Sequence, residues 1–200
     1  MFSAMAAARR WLFSLPAGAL FFLVVATPGT PVRAEQRRSL PVLLTKAEAL
    51  PLALESAFEF RKTKLYFLES RRVMRTQGNE ERSIAFERER LLYGAVTPND
   101  ERDRYGNYFS FFWRNARPAD LIVRLEYRQA RLGPMVQARE VPYPAASAGG
   151  HRTDFQVTGD DYQVDGRVTA WRVVLVERAG AQPGGPGGRI VALGQSYLWR

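Results

Sequence analysis

An all-β chain built as an antiparallel β-sandwich is predicted by three features of the sequence. Residues 120–129, DLIVRLEYRQ, alternate without a break: Leu121, Val123, Leu125 and Tyr127 point one way and Arg124, Glu126 and Arg128 the other, the pattern of a half-buried strand. Residues 167–178, RVTAWRVVLVER, are apolar on both faces, with Val168, Ala170, Val174 and Val176 against Trp171, Val173 and Leu175, which suits a central strand. Turn-forming Gly, Pro, Asn and Asp separate these runs, and no helical period is read between successive strands.

Taken in order, residues 1–34 have the layout of a secretory signal. A basic pair, Arg9 and Arg10, precedes an apolar run from Trp11 to Ala26, then a Pro- and Gly-rich segment ending in Val32, Arg33 and Ala34, so cleavage is expected after Ala34. The run is about 16 residues and contains Ser14 and Pro16, against roughly 20 needed to cross a bilayer, so a retained anchor is the weaker expectation. Residues 35–55 read as an N-terminal extension. A short helix is allowed there, capped by Thr45 with Glu48 three residues on and bracketed by Pro41 and Pro51. The domain proper is expected over 56–200.

Residues 56–76 pass from Phe58 and Phe60 into an apolar stretch read as one or two strands, with a helix over 62–75 as the competitor. Gly78 and Asn79 place a turn at 77–81, and residues 83–94 start as an alternating strand, Ile84 and Phe86 against Arg88. Residues 98–107, PNDERDRYGN, read as a polar loop. Residues 107–115, NYFSFFWRN, are aromatic on both faces, as a buried sandwich strand would be. A short strand at 135–141, a loop at 142–151 and terminal strands at 153–159, 167–178 and 189–200 complete the pattern. The Gly- and Pro-rich stretch 179–188 reads as a flexible hairpin loop, so its flanking strands should pair antiparallel. The pattern resembles an immunoglobulin-like or fibronectin-like sandwich, with a partly open barrel as the alternative; the likeness transfers no site residues.

Composition removes several chemistries. The chain of 200 residues has no cysteine, which excludes disulfides, thiolate metal sites, lipid on cysteine and cysteine nucleophiles. His151 is its one histidine, so a three-imidazole metal centre is excluded too, and its place after AGG suggests a solvent-facing loop residue and not a catalytic base. The formal charge is +9, but losing Arg9, Arg10 and Arg33 with the signal leaves 26 basic against 20 acidic side chains, which makes nucleic acid an unlikely partner. Anionic lipid, glycan or an acidic protein of the envelope suits that charge better.

The candidate binding residues fall into two groups. Tyr105, Tyr108 and Trp113, with Phe109, Phe111 and Phe112 between them and Arg114 and Arg117 after, have the composition of a surface that stacks on sugars or bases; strand alternation would instead send one set of rings inward. Arg124 and Arg128, with Arg172, could form a basic stripe for phosphate or carboxylate, although Glu126 between them equally suits a cross-strand charge ladder. Trp171 and Trp199 share the aromatic ambiguity. Asp100, Glu101 and Asp103, and Asp160, Asp161 and Asp165, lack the spacing of a calcium loop and read as turn acids, so no metal and no cofactor is expected. The expected function is an exported, non-catalytic β-sandwich module acting in the cell envelope, periplasmic or secreted, with a protein partner. A carbohydrate- or lipid-binding module is the alternative, and a hydrolase working through acidic residues comes third.

Overall fold

A computed structural model describes residues 40–44, 49–70, 81–178 and 187–199. The expected signal, the helix at 45–48, the turn at 77–80 and the loop at 179–186 lie outside the described residues. The elements run β1 (Val42–Leu44), β2 (Phe58–Leu68), α1 (Arg82–Leu92), α2 (Pro98–Arg104), β3 (Gly106–Asn115), β4 (Ala119–Gln129), β5 (Gln137–Ala146), β6 (Gly149–Thr158), α3 (Asp160–Asp165), β7 (Val168–Glu177) and β8 (Arg189–Gln195). They form two open antiparallel sheets, one ordered β1-β5-β4-β7-β8 and the other β2-β3-β6.

The expected all-β, immunoglobulin-like or fibronectin-like sandwich is overturned. Among the described residues three helices interrupt the strands, two between β2 and β3 and one between β6 and β7, so the fold is mixed α/β. Each helix was hidden for a physical reason. In α1, alternation over Ile84, Phe86 and Arg88 imitates a strand, yet Phe86 is 68% exposed and the residue that faces inward is Arg88, a charged side chain donating to the Glu69 carbonyl at 3.1 Å. An arginine on the inner face erases the apolar stripe by which such a helix is recognised. α2 lies in the polar stretch taken for a loop. It is held by a capping box, Thr97 Oγ1 accepting from the Asp100 amide and Asp100 Oδ2 accepting from the Thr97 amide at 2.8 Å, with Pro98 at its start. α3 is a single six-residue stretch closed by Gly166 at φ 82°.

Strand alternation is what joins the two sheets. In β3, Phe109, Phe111 and Trp113 are buried, while Tyr108, Ser110, Phe112 and Arg114 stand on the opposite face. The inward set meets Leu121, Val123, Leu125, Tyr127, Val173 and Leu175 of the larger sheet in one core. Phe111 is its centre, with its ring 5.5 Å from that of Trp171, 6.1 Å from Phe155, 6.0 Å from Phe109 and 6.2 Å from Phe60. Cutting such a ring to alanine costs about 3–5 kcal/mol. Gly106 opens β3 at φ 141°, and a Cβ there would sit 2.2 Å from the Val157 carbonyl oxygen, so no other residue fits the close β3 to β6 approach.

The predicted loop at 142–151 is instead the end of β5, a turn at 147–148 and the start of β6. Pro142 and Pro144 fall beyond Glu140, the last β5 residue that β1 pairs with, and lie with their nitrogens on the side of β5 away from β4. On the far side of the larger sheet Ile122, Val174, Val176 and Ile190 form a second cluster with Leu50. Residues 51–55 run beside β8, the Ala53 amide donating to Ile190 O at 2.9 Å and the Glu55 amide to Val191 O at 3.0 Å. Four alternating charges fasten that segment: Arg117 bridges Glu55 at 3.1 Å and Glu177 at 2.6 Å, and Arg189 bridges the same two carboxylates at 3.0 and 2.7 Å.

The Arg117 hydrogen bond, followed by that from Arg189, holds the Glu177 carboxyl below its ordinary range despite partial burial, and Glu55 is lowered in the same way. A carboxyl whose folded pKa lies below its unfolded one stabilises the fold fully above the unfolded value. That contribution is lost as pH falls through the folded value. Thermal melts from pH 6 to pH 3 should therefore show a steeper acid decline in the wild-type protein than in Arg117→Met; equal slopes would remove this ring as the source.

Candidate functional site

Two surfaces could do chemistry, and the first is a pocket of about 400 Å³ lined by Glu69, Ser70, Arg88, Glu89, Leu92, Glu101 and Tyr105. Its walls come from three elements. Leu68, fully buried, anchors the end of β2 and sets Glu69 and Ser70 at the rim. Arg88, Glu89 and Leu92 follow the i, i+1, i+4 spacing that puts residues on one side of α1. Glu101 and Tyr105 lie four apart on α2 and its C-cap, with the Tyr105 hydroxyl donating to Glu101 Oε2 at 2.9 Å. Arg104 ties the helices together by donating to Leu91 O at 2.9 Å and Tyr93 O at 2.6 Å. The Tyr108 hydroxyl donates to Arg104 O at 2.6 Å, so β3 holds the same corner from below.

Among the described residues three carboxylates and one guanidinium line the pocket, an acidic set on a chain whose formal charge is +9. Among the described residues Glu69 and Glu89 have no ion pair. Burial first, and then the bond to Glu101, push the Tyr105 phenol above its ordinary pKa, so it stays protonated and serves as a donor.

Of the residues singled out from sequence, Tyr105 lines this pocket, Tyr108 braces it and Trp113 lies in the core, its Nε1 donating to Thr153 Oγ1 at 2.9 Å. Arg124, Arg128 and Arg172 do share one face of the larger sheet. There Arg124 is buried and donates to Glu140 at 2.6 Å, and Arg172 donates through Nε to Glu126 at 2.9 Å, its partner in register on β4. Arg128 and Arg172 bracket the Trp199 ring at 4.8 and 5.1 Å, which packs the C-terminal end down. Those guanidiniums meet internal carboxylates and a ring, the geometry of a charge ladder.

The acidic loops are also occupied. Asp100 caps α2, and Asp161 of α3 pairs with Arg139. Among the described residues no group of three or more His, Asp or Glu is placed to hold a metal ion, and no helix is long and apolar enough to cross a membrane. His151 is no loop residue: it lies in β6, stacked 4.3 Å from the Trp113 ring, with Nε2 2.9 Å from both Asn115 Oδ1 and Ser147 O. Both neighbours are acceptors, because the Asn115 amide nitrogen donates to Arg117 O and Ala146 O, so Nε2 carries the proton. The sequence reading missed Glu69, Ser70, Arg88, Glu89 and Leu92. The i, i+4 pairing of Arg88 with Leu92 was available as a signal only to a reader who took 82–92 as a helix.

No family model matches the chain, and neither a curated protein nor a solved structure matches it. Fold and site define a mixed α/β domain with an acidic surface pocket. The expected β-sandwich interaction module is withdrawn together with the sandwich on which it rested.

Titration of ¹³Cζ-tyrosine-labelled protein tests the pocket's electrostatics. Tyr105 should titrate above an ordinary phenol and move down in Glu101→Gln, while Tyr127, raised by its own burial and not bonded to Glu101, stays in place. A Tyr105 shift unchanged by the substitution would contradict the Glu101 contact.

Proposed function

We propose that the chain is an exported binding domain whose acidic pocket holds a small cationic molecule, an amine or a guanidine, without transforming it. The observation that carries this reading is the concentration of Glu69, Glu89 and Glu101 around one concavity of a basic chain. Carboxylates make strong charge-assisted hydrogen bonds with ammonium and guanidinium groups, Tyr105 and Ser70 add orienting hydroxyls, and Leu92 offers an apolar wall to an aliphatic stem. The same charges disfavour anionic lipid or nucleic acid at this place. An envelope protein would have to present a lysine or arginine side chain, and a free amine is the simpler occupant.

Export to the periplasm or beyond is supported by Arg9 and Arg10, the apolar run that follows and the small residues before Glu35. An intact mass starting at Glu35 is the expected result for the exported protein; retention of residues 1–34 would contradict it.

Calorimetric titration with spermidine and with arginine, at low salt, tests the pocket. One of them should bind, with affinity at least about tenfold weaker in Glu69→Gln and Glu89→Gln, and at 100 times its Kd it should stabilise the fold by about 2.7 kcal/mol. Absence of binding, or equal binding by citrate, would overturn the proposal.

A further inference from the structure

The outward face of the three-stranded sheet is a second surface, opposite in charge to the pocket. Register places three rows on it: Glu59, Arg114 and Gly150; Lys62, Phe112 and Arg152; Lys64, Ser110 and Asp154. The rings facing the core, Phe109, Phe111 and Trp113, are on the other side of β3, so these rows look out. Lys62, Lys64, Arg114 and Arg152 are all exposed. Both acids in the rows are already engaged, Glu59 with Arg61 at 2.7 Å and Asp154 with Arg152 at 2.8 Å and Ser110 at 2.6 Å, and Glu87 of α1, paired with Arg90, lies within electrostatic reach of Lys64 and Arg152. Lys62 and Arg114 have no ion pair among the described residues. At the centre Phe112, half-buried, lies beneath Lys64 at 5.8 Å and Arg152 at 5.5 Å.

The spacing distinguishes possible occupants. Lys62 and Lys64 are two residues apart, about 7 Å along β2, and Arg152 stands two strands away, about 10 Å across. Lys64 and Arg152 both reach over Phe112, whereas Lys62 and Arg114 stand apart from them, so a single phosphate could not engage all four cations. A bilayer surface would be met by protruding aliphatic groups, and these rows hold none besides the half-buried Phe112. A flat face with separated cations around one aromatic ring fits an extended chain bearing repeated anionic groups, whose sugar rings can lie on Phe112 while its charges reach the surrounding lysines and arginines.

We infer that this face of β2, β3 and β6 binds an acidic polysaccharide, sulfated or carboxylated, independently of the pocket. Heparin is the probe, with the purified protein titrated at several salt concentrations. The expected result is salt-sensitive binding that weakens at least about tenfold in Lys62→Glu/Arg114→Glu and stays at the wild-type value in Arg82→Glu/Arg167→Glu, which changes net charge equally elsewhere. Both variants alter exposed side chains and should keep the wild-type circular dichroism; Lys62→Gln/Arg114→Gln, expected to weaken binding to a smaller degree, replaces the first variant if it does not. Equal loss in the two charge-reversed variants, no loss in either, or tighter binding to phosphatidylglycerol vesicles than to heparin would each overturn the inference. Glu69→Gln/Glu89→Gln should not weaken heparin binding and Lys62→Glu/Arg114→Glu should not weaken spermidine binding, so this surface can fail while the pocket stands, and the reverse.

Discussion

The alternation of β3 is the constraint on which the rest of the molecule depends. One strand sends Phe109, Phe111 and Trp113 into the core and Ser110, Phe112 and Arg114 to solvent, so the same ten residues fasten the two sheets together and define the exposed face of the smaller one. A one-residue slip would exchange those sets and bury Arg114 among aromatic rings. Register is held at both ends of the strand. Gly106 admits the close approach to Val157, and Asn115, fully buried, donates to Arg117 O and Ala146 O while accepting from His151.

Charge is sorted across the molecule in a way that follows from this arrangement. The larger sheet pairs its charges with one another on the face turned away from the smaller sheet, as the buried Arg124 to Glu140 contact and the Glu126 to Arg172 pair show. Buried pairs of this kind contribute little net stability but are costly to break, since removing one partner leaves the other charge without water. The smaller sheet leaves its cations outside, and the corner where α1 and α2 meet gathers carboxylates. The two proposed ligand classes, opposite in charge, would therefore meet separate surfaces of one small domain.

Much of the strand architecture was legible in the sequence. The clean alternation of 120–129 became β4 over Ala119–Gln129, and the two-sided apolar run at 167–178 became β7, paired on both edges. The Gly- and Pro-rich linker correctly implied antiparallel pairing of its flanking strands. Aromatic residues at 107–115 resolved by alternation, with Phe112 outside. The helices were not legible, because Arg88 occupies the inward face of α1 and α2 is almost wholly polar, held by a capping box and side-chain bonds to its neighbour instead of by an apolar stripe. The pocket was illegible for the same reason: its residues are brought together by those two helices, and only Tyr105, read as a stacking ring, and Glu101, read as a turn acid, stood out in the sequence. Arg124, Arg128 and Arg172 were recognised as one face, but the fold had already matched them with Glu140, Glu126 and Trp199.

The most direct test of this electrostatic division is amide chemical-shift mapping of two labelled samples, one titrated with spermidine and the other with a heparin oligosaccharide. The account predicts two separate sets of shifted amides, one around Glu69, Glu89 and Glu101 and the other around Lys62, Phe112 and Arg152. Shifts that coincide for the two ligands, or that gather on the outer face of the larger sheet, would contradict it.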